Sequence, residues 1–246
     1  MKQVMVCGRW PTMVLEAETR PLWLWDNWER ARFESMAANL KPGMTLFDVG
    51  SEQGDISCVY AQMVGGENMV LFEPHPFLWP NIKALWQANN LPDPKACAVT
   101  FLNSRASAAI SQDFYDDFDG VWPVCANTGS ICHTAAYRHV SKHSDVSPST
   151  TLDDWVKRTG IKPDAITIDV EGSEMSVLEG AARTLKAHGP LVWVSVHPEM
   201  MLASYGRNEF ELRVFMEKFG YLRHWLFHDH EDHWLYWVPG KGPIVK

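Results

Sequence analysis

The chain has 246 residues, 46% hydrophobic and 21% charged, which is enough length and apolar content for one large α/β domain with a buried core. Its formal net charge of −8 and isoelectric point near 5.7 disfavour a nucleic-acid partner, because neutralising phosphates takes a basic surface. Five cysteines (Cys7, Cys58, Cys97, Cys125, Cys132) without a C-x-x-C pair imply free thiols in a reducing compartment, with the cytoplasm expected, and no apolar run is long enough for a signal peptide or a membrane span.

In chain order, residues 2–25 alternate apolar and polar around Pro11 and Pro21 and predict a β segment that packs one face, an N-terminal flap over 1–27. "WERARFESMAANLKPG" then sets Trp28, Arg32, Met36 and Leu40 at helical spacing and stops at Pro42-Gly43. Short apolar runs next alternate with amphipathic ones: "MTLFDVG" strand, "DISCVYAQMVG" helix, "NMVLFEP" strand, "PFLWPNIKALWQANN" helix, "KACAVTF" strand. After an irregular stretch the alternation resumes with "TLDDWVKRTG" helix, "DAITIDV" strand, "EMSVLEGAARTLKAHG" helix, "LVWVSVHP" strand and "NEFELRVFMEKFG" helix. "YLRHWLFHD" and "HWLYWVPG" close the chain as two antiparallel strands around "HDHEDH". This is the signature of βαβ units, a mostly parallel sheet of five strands with a C-terminal antiparallel hairpin and helices on both faces. Trp86, Trp155 and Trp193 fall on predicted core faces.

Ligands of open α/β sheets bind beyond the carboxyl ends of the strands, so the residues there carry the functional reading. The first predicted strand ends in Asp48-Val49-Gly50-Ser51-Glu52-Gln53-Gly54, and the second in Glu73-Pro74-His75. The third passes Ala98, the fourth ends in Asp169-Val170-Glu171-Gly172 and the fifth in His197-Pro198. The loop reads G-x-x-x-G, not the dinucleotide spacing, and Glu52 in it repels phosphate. Taken alone it is also explained by a tight strand-to-helix turn. Glu73, 19 residues after Gly54 at the next strand end, is placed to accept hydrogen bonds from two ribose hydroxyls. Together the two elements describe an adenosyl ligand without phosphate, for which S-adenosyl-L-methionine fits, its aminoacyl end near Asp48, Gly50 and Glu52. Ser51, Gly54, Pro74, His75 and Ala98 complete the expected cofactor-binding set.

"TLFDVGSEQGDIS", "LFEPHPFLWPNIKALWQANN" and "TTLDDWVKRTGIKPDAITIDVEGSEMSVLEGAARTLKAHGPLVWVSVHPE" resemble successive signature blocks of the FkbM-type S-adenosylmethionine-dependent methyltransferases, from about residue 28 to the C-terminus. The resemblance implies the class I (Rossmann-like) methyltransferase fold and O-methylation of a hydroxyl on a sugar, glycan or other small molecule. The chain divides accordingly into residues 28–102 as the cofactor-binding half and 149–246 as the catalytic half with the hairpin, with 103–148 between them as an insertion or lid. Three departures stand out: residues 103–148 match no block of the family, so the substrate cannot be carried over, and two lie within the blocks. Ser51 and Glu52 replace the Ala-Asn usual in the first loop, and Thr167 stands where a lysine is usual before "IDVEG".

For catalysis the candidates are Asp169, Glu171 and His197. One of them serves as the base, or they hold a divalent cation, which the sequence allows without requiring; in the alternative Glu171 caps the next helix and His197 is structural. No dedicated metal site is expected. The histidines of the last turn (His224, His228, His230, His233) read as solvated, and Cys125, Cys132 and His133 have no recognisable ligand spacing. The run "SQDFYDDFDGVWP", with Phe114, Tyr115, Trp122 and Asp113, Asp116, Asp117 and Asp119, reads either as a sugar-stacking lid or as a solvated loop. Methylation of nitrogen or of nucleic acid, and a methyltransferase-like binding protein without catalysis, are the competing readings.

Overall fold

The computed structural model describes residues 1–15, 22–106, 117–127, 149–229 and 231–243. The chain opens in a hairpin, β1 (Lys2–Val6) and β2 (Trp10–Val14), and enters α1 (Arg30–Asn39). There follow β3 (Leu46–Val49), α2 (Asp55–Val64), β4 (Met69–Phe72), α3 (Trp79–Ala88) and β5 (Ala96–Ala98). Two small ladders pair β6 (Phe101–Leu102) with β9 (Ser149–Thr150) and β7 (Phe118–Asp119) with β8 (Trp122–Pro123). The second half runs α4 (Leu152–Thr159), β10 (Ala165–Ile168), α5 (Glu174–Gly180), α6 (Ala182–His188) and β11 (Leu191–Val196). It ends with α7 (Pro198–Tyr205), α8 (Glu209–Lys218), β12 (Leu222–His228) and β13 (Asp232–Trp237).

The main sheet has the order β12-β13-β11-β10-β3-β4-β5, with β11, β10, β3, β4 and β5 parallel and β13 antiparallel to both its neighbours. This is the α/β class I arrangement expected from the sequence, hairpin included. Strands β3, β4 and β10 are buried at every position, as parallel strands covered on both faces must be. On one face the hairpin β1–β2, α1, α2 and α3 bring in Val6, Trp10, Phe33, Tyr60, Trp79 and Trp86. On the other, Trp155 of α4 packs edge-on against Phe47 and Phe72, with α5, α6 and α8 beside it. Trp86, Trp155 and Trp193 are all core residues.

Two helices differ from expectation. The helix predicted over 174–189 breaks at Ala181, between α5 and α6, where the Ala181 N–H turns back to the Leu178 carbonyl; at the adjoining Gly180 the backbone of Asn103 comes so close that a Cβ would stand 2.1 Å from its carbonyl oxygen. The segment after His197 forms α7, begun by Pro198 at the first helical turn and closed by Gly206 in the left-handed region, a helix the sequence reading left unassigned. The N-terminal hairpin packs into the core: Val6 and Val14 are fully buried, and Asn89 of α3 clasps the backbone N–H and C=O of Met13. Most of the expected insertion, including Asp113, Phe114, Tyr115, Asp116, Cys132 and His133, lies outside the described residues, as does His230. Among the described residues no helix is long and apolar enough to cross a membrane.

Candidate active site

Chain order reverses between β3 and β10: from β3 the sheet grows outward through β4 to β5, and from β10 through β11 to the hairpin. A crevice opens at such a reversal, beyond the carboxyl ends of the two strands. The candidate site residues of the sequence reading gather there.

The loop after β3 is pinned to its neighbours. Gly50 and Ser51 both donate N–H bonds to the Phe72 carbonyl, at 3.0 and 3.1 Å. Gly50 has φ +92°, and a Cβ there would stand 1.9 Å from the carbonyl oxygen of Asp169. The close approach that demands glycine is therefore the protein's own strand end. Gly54 (φ +87°) opens α2 against Ile82. Between them Glu52 holds φ +48°, a left-handed conformation that disfavours an L side chain. Its N–H donates to Glu73 Oε2 at 2.9 Å, while the His75 N–H donates to Glu73 Oε1, also at 2.9 Å. Glu73 is buried, and its own N–H donates to the carbonyl of Ala98. Asp48, Gly50, Ser51, Glu52, Gly54, Glu73, Pro74, His75 and Ala98 thus lie along one stretch spanning three adjacent strand ends. The His75 ring meets Phe101 edge-on at 5.6 Å, and burial lowers its pKa. Asp48 is buried beneath the loop; burial raises its pKa to about 6 although the Ser57 hydroxyl donates to Oδ2 at 2.5 Å.

Across the crevice, Asp169, Glu171 and His197 also come together, with His197 Nε2 3.8 Å from Asp169 Oδ1 and 3.9 Å from Glu171 Oε2. Glu171 has φ +52°, so the loops after β3 and β10 each hold one acidic residue in the left-handed region. Such strain persists only where the surrounding structure imposes it, and it clusters at functional sites. The next N–H, of Gly172, goes to Glu174 Oε1.

Six residues of this cluster escaped the sequence reading. The Arg32 guanidinium rises from α1 into the core and donates to Glu29 Oε2 (2.9 Å), Asp169 Oδ2 (3.3 Å), Ser195 Oγ (2.6 Å) and the Thr167 hydroxyl. The cation expected to be missing at Thr167 is thus supplied by α1. Glu174, fully buried, bonds His197 Nδ1 at 2.8 Å, and Glu231 from the terminal turn contacts Nε2. His233 sits under Phe227, ring on ring at 4.0 Å, with Nδ1 3.2 Å from Ser195 Oγ and Nε2 3.3 Å from Glu231 Oε1. This corrects the expectation of solvated histidines in the last turn: His228 is exposed, but His233 is buried because Glu231 and Ser195 supply partners for both its nitrogens. The one available signal was Arg32 on an otherwise apolar helical face.

The electrostatics follow from these contacts. Burial opposes charge on His197, yet its bonds to Glu174 and Glu231 and the field of Asp169 outweigh it and push the pKa up to about 11. Burial likewise opposes charge on Asp169, but Arg32, His197 and His233 hold its pKa below the ordinary carboxylate value. In this state His197 is an imidazolium and takes no proton, which leaves Asp169 and Glu171 as the acceptors among the three. Cys125 is buried with its thiol pKa raised to about 11 by burial, the state of an inert packing thiol.

A family model described as "Methyltransferase FkbM domain" matches residues 48–228. Among solved structures the fold is similar to a methyltransferase FkbM from Methylobacillus flagellatus KT, with 15% identity, 80% of this chain and 44% of that chain covered, and a TM-score of 0.52. It is also similar to a precorrin-6y C5,15-methyltransferase from Geobacter metallireducens GS-15, with 11% identity, 92% and 94% covered, and a TM-score of 0.51. The chain therefore spans less than half the length of the Methylobacillus protein, and at these identities the likeness is one of fold. No curated protein matches the chain.

Proposed function

We propose, from the premise that this chain belongs to the FkbM methyltransferase family, that it is an S-adenosylmethionine-dependent O-methyltransferase acting on a hydroxyl of a sugar, glycan or other small molecule. The observation that carries this reading is the meeting of the acidic strand ends at the sheet reversal, Glu73 and the 50–54 loop on one side and Asp169 and Glu171 on the other.

The donor set fits the cofactor. Each oxygen of Glu73 accepts one backbone N–H, which fixes the carboxylate at the strand end where an acidic side chain can accept from ribose hydroxyls. Asp48, Glu52 and Glu73 together favour a ligand that carries positive charge and disfavour one that carries phosphate. Gly50, Ser51 and Gly54 would hold the aminoacyl end, and Pro74, His75 and Ala98 the adenosyl side. When bound, the cofactor supplies an electrophilic methyl group whose departure leaves the bonding electron pair on sulfur.

The remaining work falls to the other side of the crevice. Methyl transfer to oxygen needs an aligned hydroxyl and somewhere for its proton to go. Asp169 is fixed through Oδ2 by Arg32, and its partly exposed carboxylate accepts the acceptor's hydroxyl hydrogen bond. Its lowered pKa makes it a weak base, so it orients the hydroxyl and takes the proton as the new C–O bond forms. Glu171, more exposed at the lip, completes the acceptor side. The protein acts as a single methyltransferase domain in this reading. The thiols Cys7, Cys58 and Cys97, buried and outside any disulfide, support a cytoplasmic setting. The test is mass spectrometry of a panel of saccharides and hydroxylated small molecules incubated with the protein and methyl-labelled cofactor; label on a hydroxyl oxygen supports the reading, and label confined to nitrogen contradicts it.

A further inference from the structure

We infer that Asp169, His197 and Glu231 form a binding site for one divalent cation of intermediate hardness, of the manganese kind, at the acceptor side of the crevice. One ligand atom from each, two carboxylate oxygens and an imidazole nitrogen, lie within 4.8 Å of one another. Metal–ligand distances of about 2.0–2.2 Å put such atoms at most about 4.4 Å apart, and His197 Nε2 stands 3.8 Å from Asp169 Oδ1, within that span, so an ion can be seated by small side-chain adjustments.

Three features separate this set from an ordinary acidic cluster. It is mixed, with an imidazole among the oxygens. The imidazole is oriented from behind: the fully buried Glu174 takes Nδ1 at 2.8 Å and leaves Nε2 facing Asp169 and Glu231, the carboxylate–histidine arrangement that supports metal ligation. Finally, Glu174 Oε2 is buried with no hydrogen-bond partner among the described residues, an unsatisfied oxygen directly behind the imidazole that adds to the buried carboxylate charge around His197. A dication replaces the proton on Nε2 between the two carboxylates and neutralises more of that charge. Two oxygens with one nitrogen suit manganese better than the all-oxygen preference of calcium or the thiolate preference of softer ions. A second trio, Asp229, Glu231 and His233, shares Glu231, but its Asp229 is exposed to solvent, whereas the ligands from His197 and Glu231 in the first trio are buried.

Binding needs no cofactor; only its use, to polarise the acceptor hydroxyl, rests on the methyl-transfer reading. The experiment titrates chelator-treated, dialysed protein with Mn²⁺ and follows the aqueous ion by electron paramagnetic resonance. One equivalent should bind, and pulsed spectra should show coupling to a single imidazole nitrogen, a signature available from the wild type alone. Glu231→Gln and His197→Gln should each weaken binding about tenfold or more, Glu174→Gln about tenfold, while exposed His228→Ala leaves it unchanged. Absence of wild-type binding at millimolar Mn²⁺, absence of nitrogen coupling, or affinity unaltered by Glu231→Gln in a folded protein would overturn the assignment. Titration of the same samples with S-adenosylmethionine reads the functional proposal separately.

Discussion

Replacing Arg32 by methionine tests whether the site is held by a charge buried in α1. Arg32 and its partner Glu29 have side chains only 3% and 5% exposed and stand 2.9 Å apart. The methionine keeps most of the aliphatic volume but strands the Glu29 carboxylate and removes the donors to Asp169, Ser195 and Thr167. Breaking a buried pair in this way costs about 3–5 kcal/mol, mostly because an uncompensated charge remains in the core. Adding Glu29→Gln removes that charge, so the double variant should be about 2 kcal/mol more stable than the sum of the single losses. Urea denaturation at pH 7.5, with unchanged dependence on denaturant, gives the three differences. The same change removes the cation that lowers the pKa of Asp169, and the acidic limb of the activity profile should move to higher pH. A loss below about 1 kcal/mol for Arg32→Met, or strictly additive losses, would refute the reasoning.

Asp48→Asn tests the buried carboxylate under the loop. Its folded-state pKa, near 6, lies above the ordinary 3.8, so protonation favours the folded state and the ionised form is a burden above pH 6. The variant should be more stable than wild type by about 1–3 kcal/mol at pH 8, with the advantage fading as pH falls from 6 to below 4; lower stability at pH 8 would contradict this. Glu52→Gly relieves a left-handed residue while keeping the N–H that holds Glu73, and should raise stability by about 0.5–1 kcal/mol in thermal unfolding while weakening cofactor affinity. A clear loss of stability would show that the Glu52 side chain anchors the loop. Asp169→Asn should lower turnover about 100-fold or more with cofactor affinity within about threefold, as direct titration would show; full activity would place the proton acceptor elsewhere.

The sheet was legible because each parallel strand is a short apolar run bounded by turn residues, and "LFDV", "MVLF", "AITI" and "LVWVSV" announce themselves by local pattern alone. Asp48, Glu73, Asp169 and His197 followed, since they stand at the ends of those runs. Less legible was whatever long-range contact decides. The need for glycine at position 180 depends on the backbone of Asn103, and at position 50 on the carbonyl of Asp169. Arg32 reaches Asp169 across 137 positions of sequence, and Glu231 meets His197 only because β13 returns beside β11. A lone arginine on an apolar helical face reads from sequence as a side chain reaching for solvent; here it finds carboxylates instead.

The most direct test of the central claim is calorimetric titration of S-adenosylmethionine into the wild-type protein and into Glu73→Ala, with circular dichroism confirming that both are folded. The account predicts one cofactor bound per wild-type chain and affinity lowered about tenfold or more in the variant, which loses an acceptor for the ribose hydroxyls. Absence of binding to the wild type, or equal affinity in the two proteins, would contradict it.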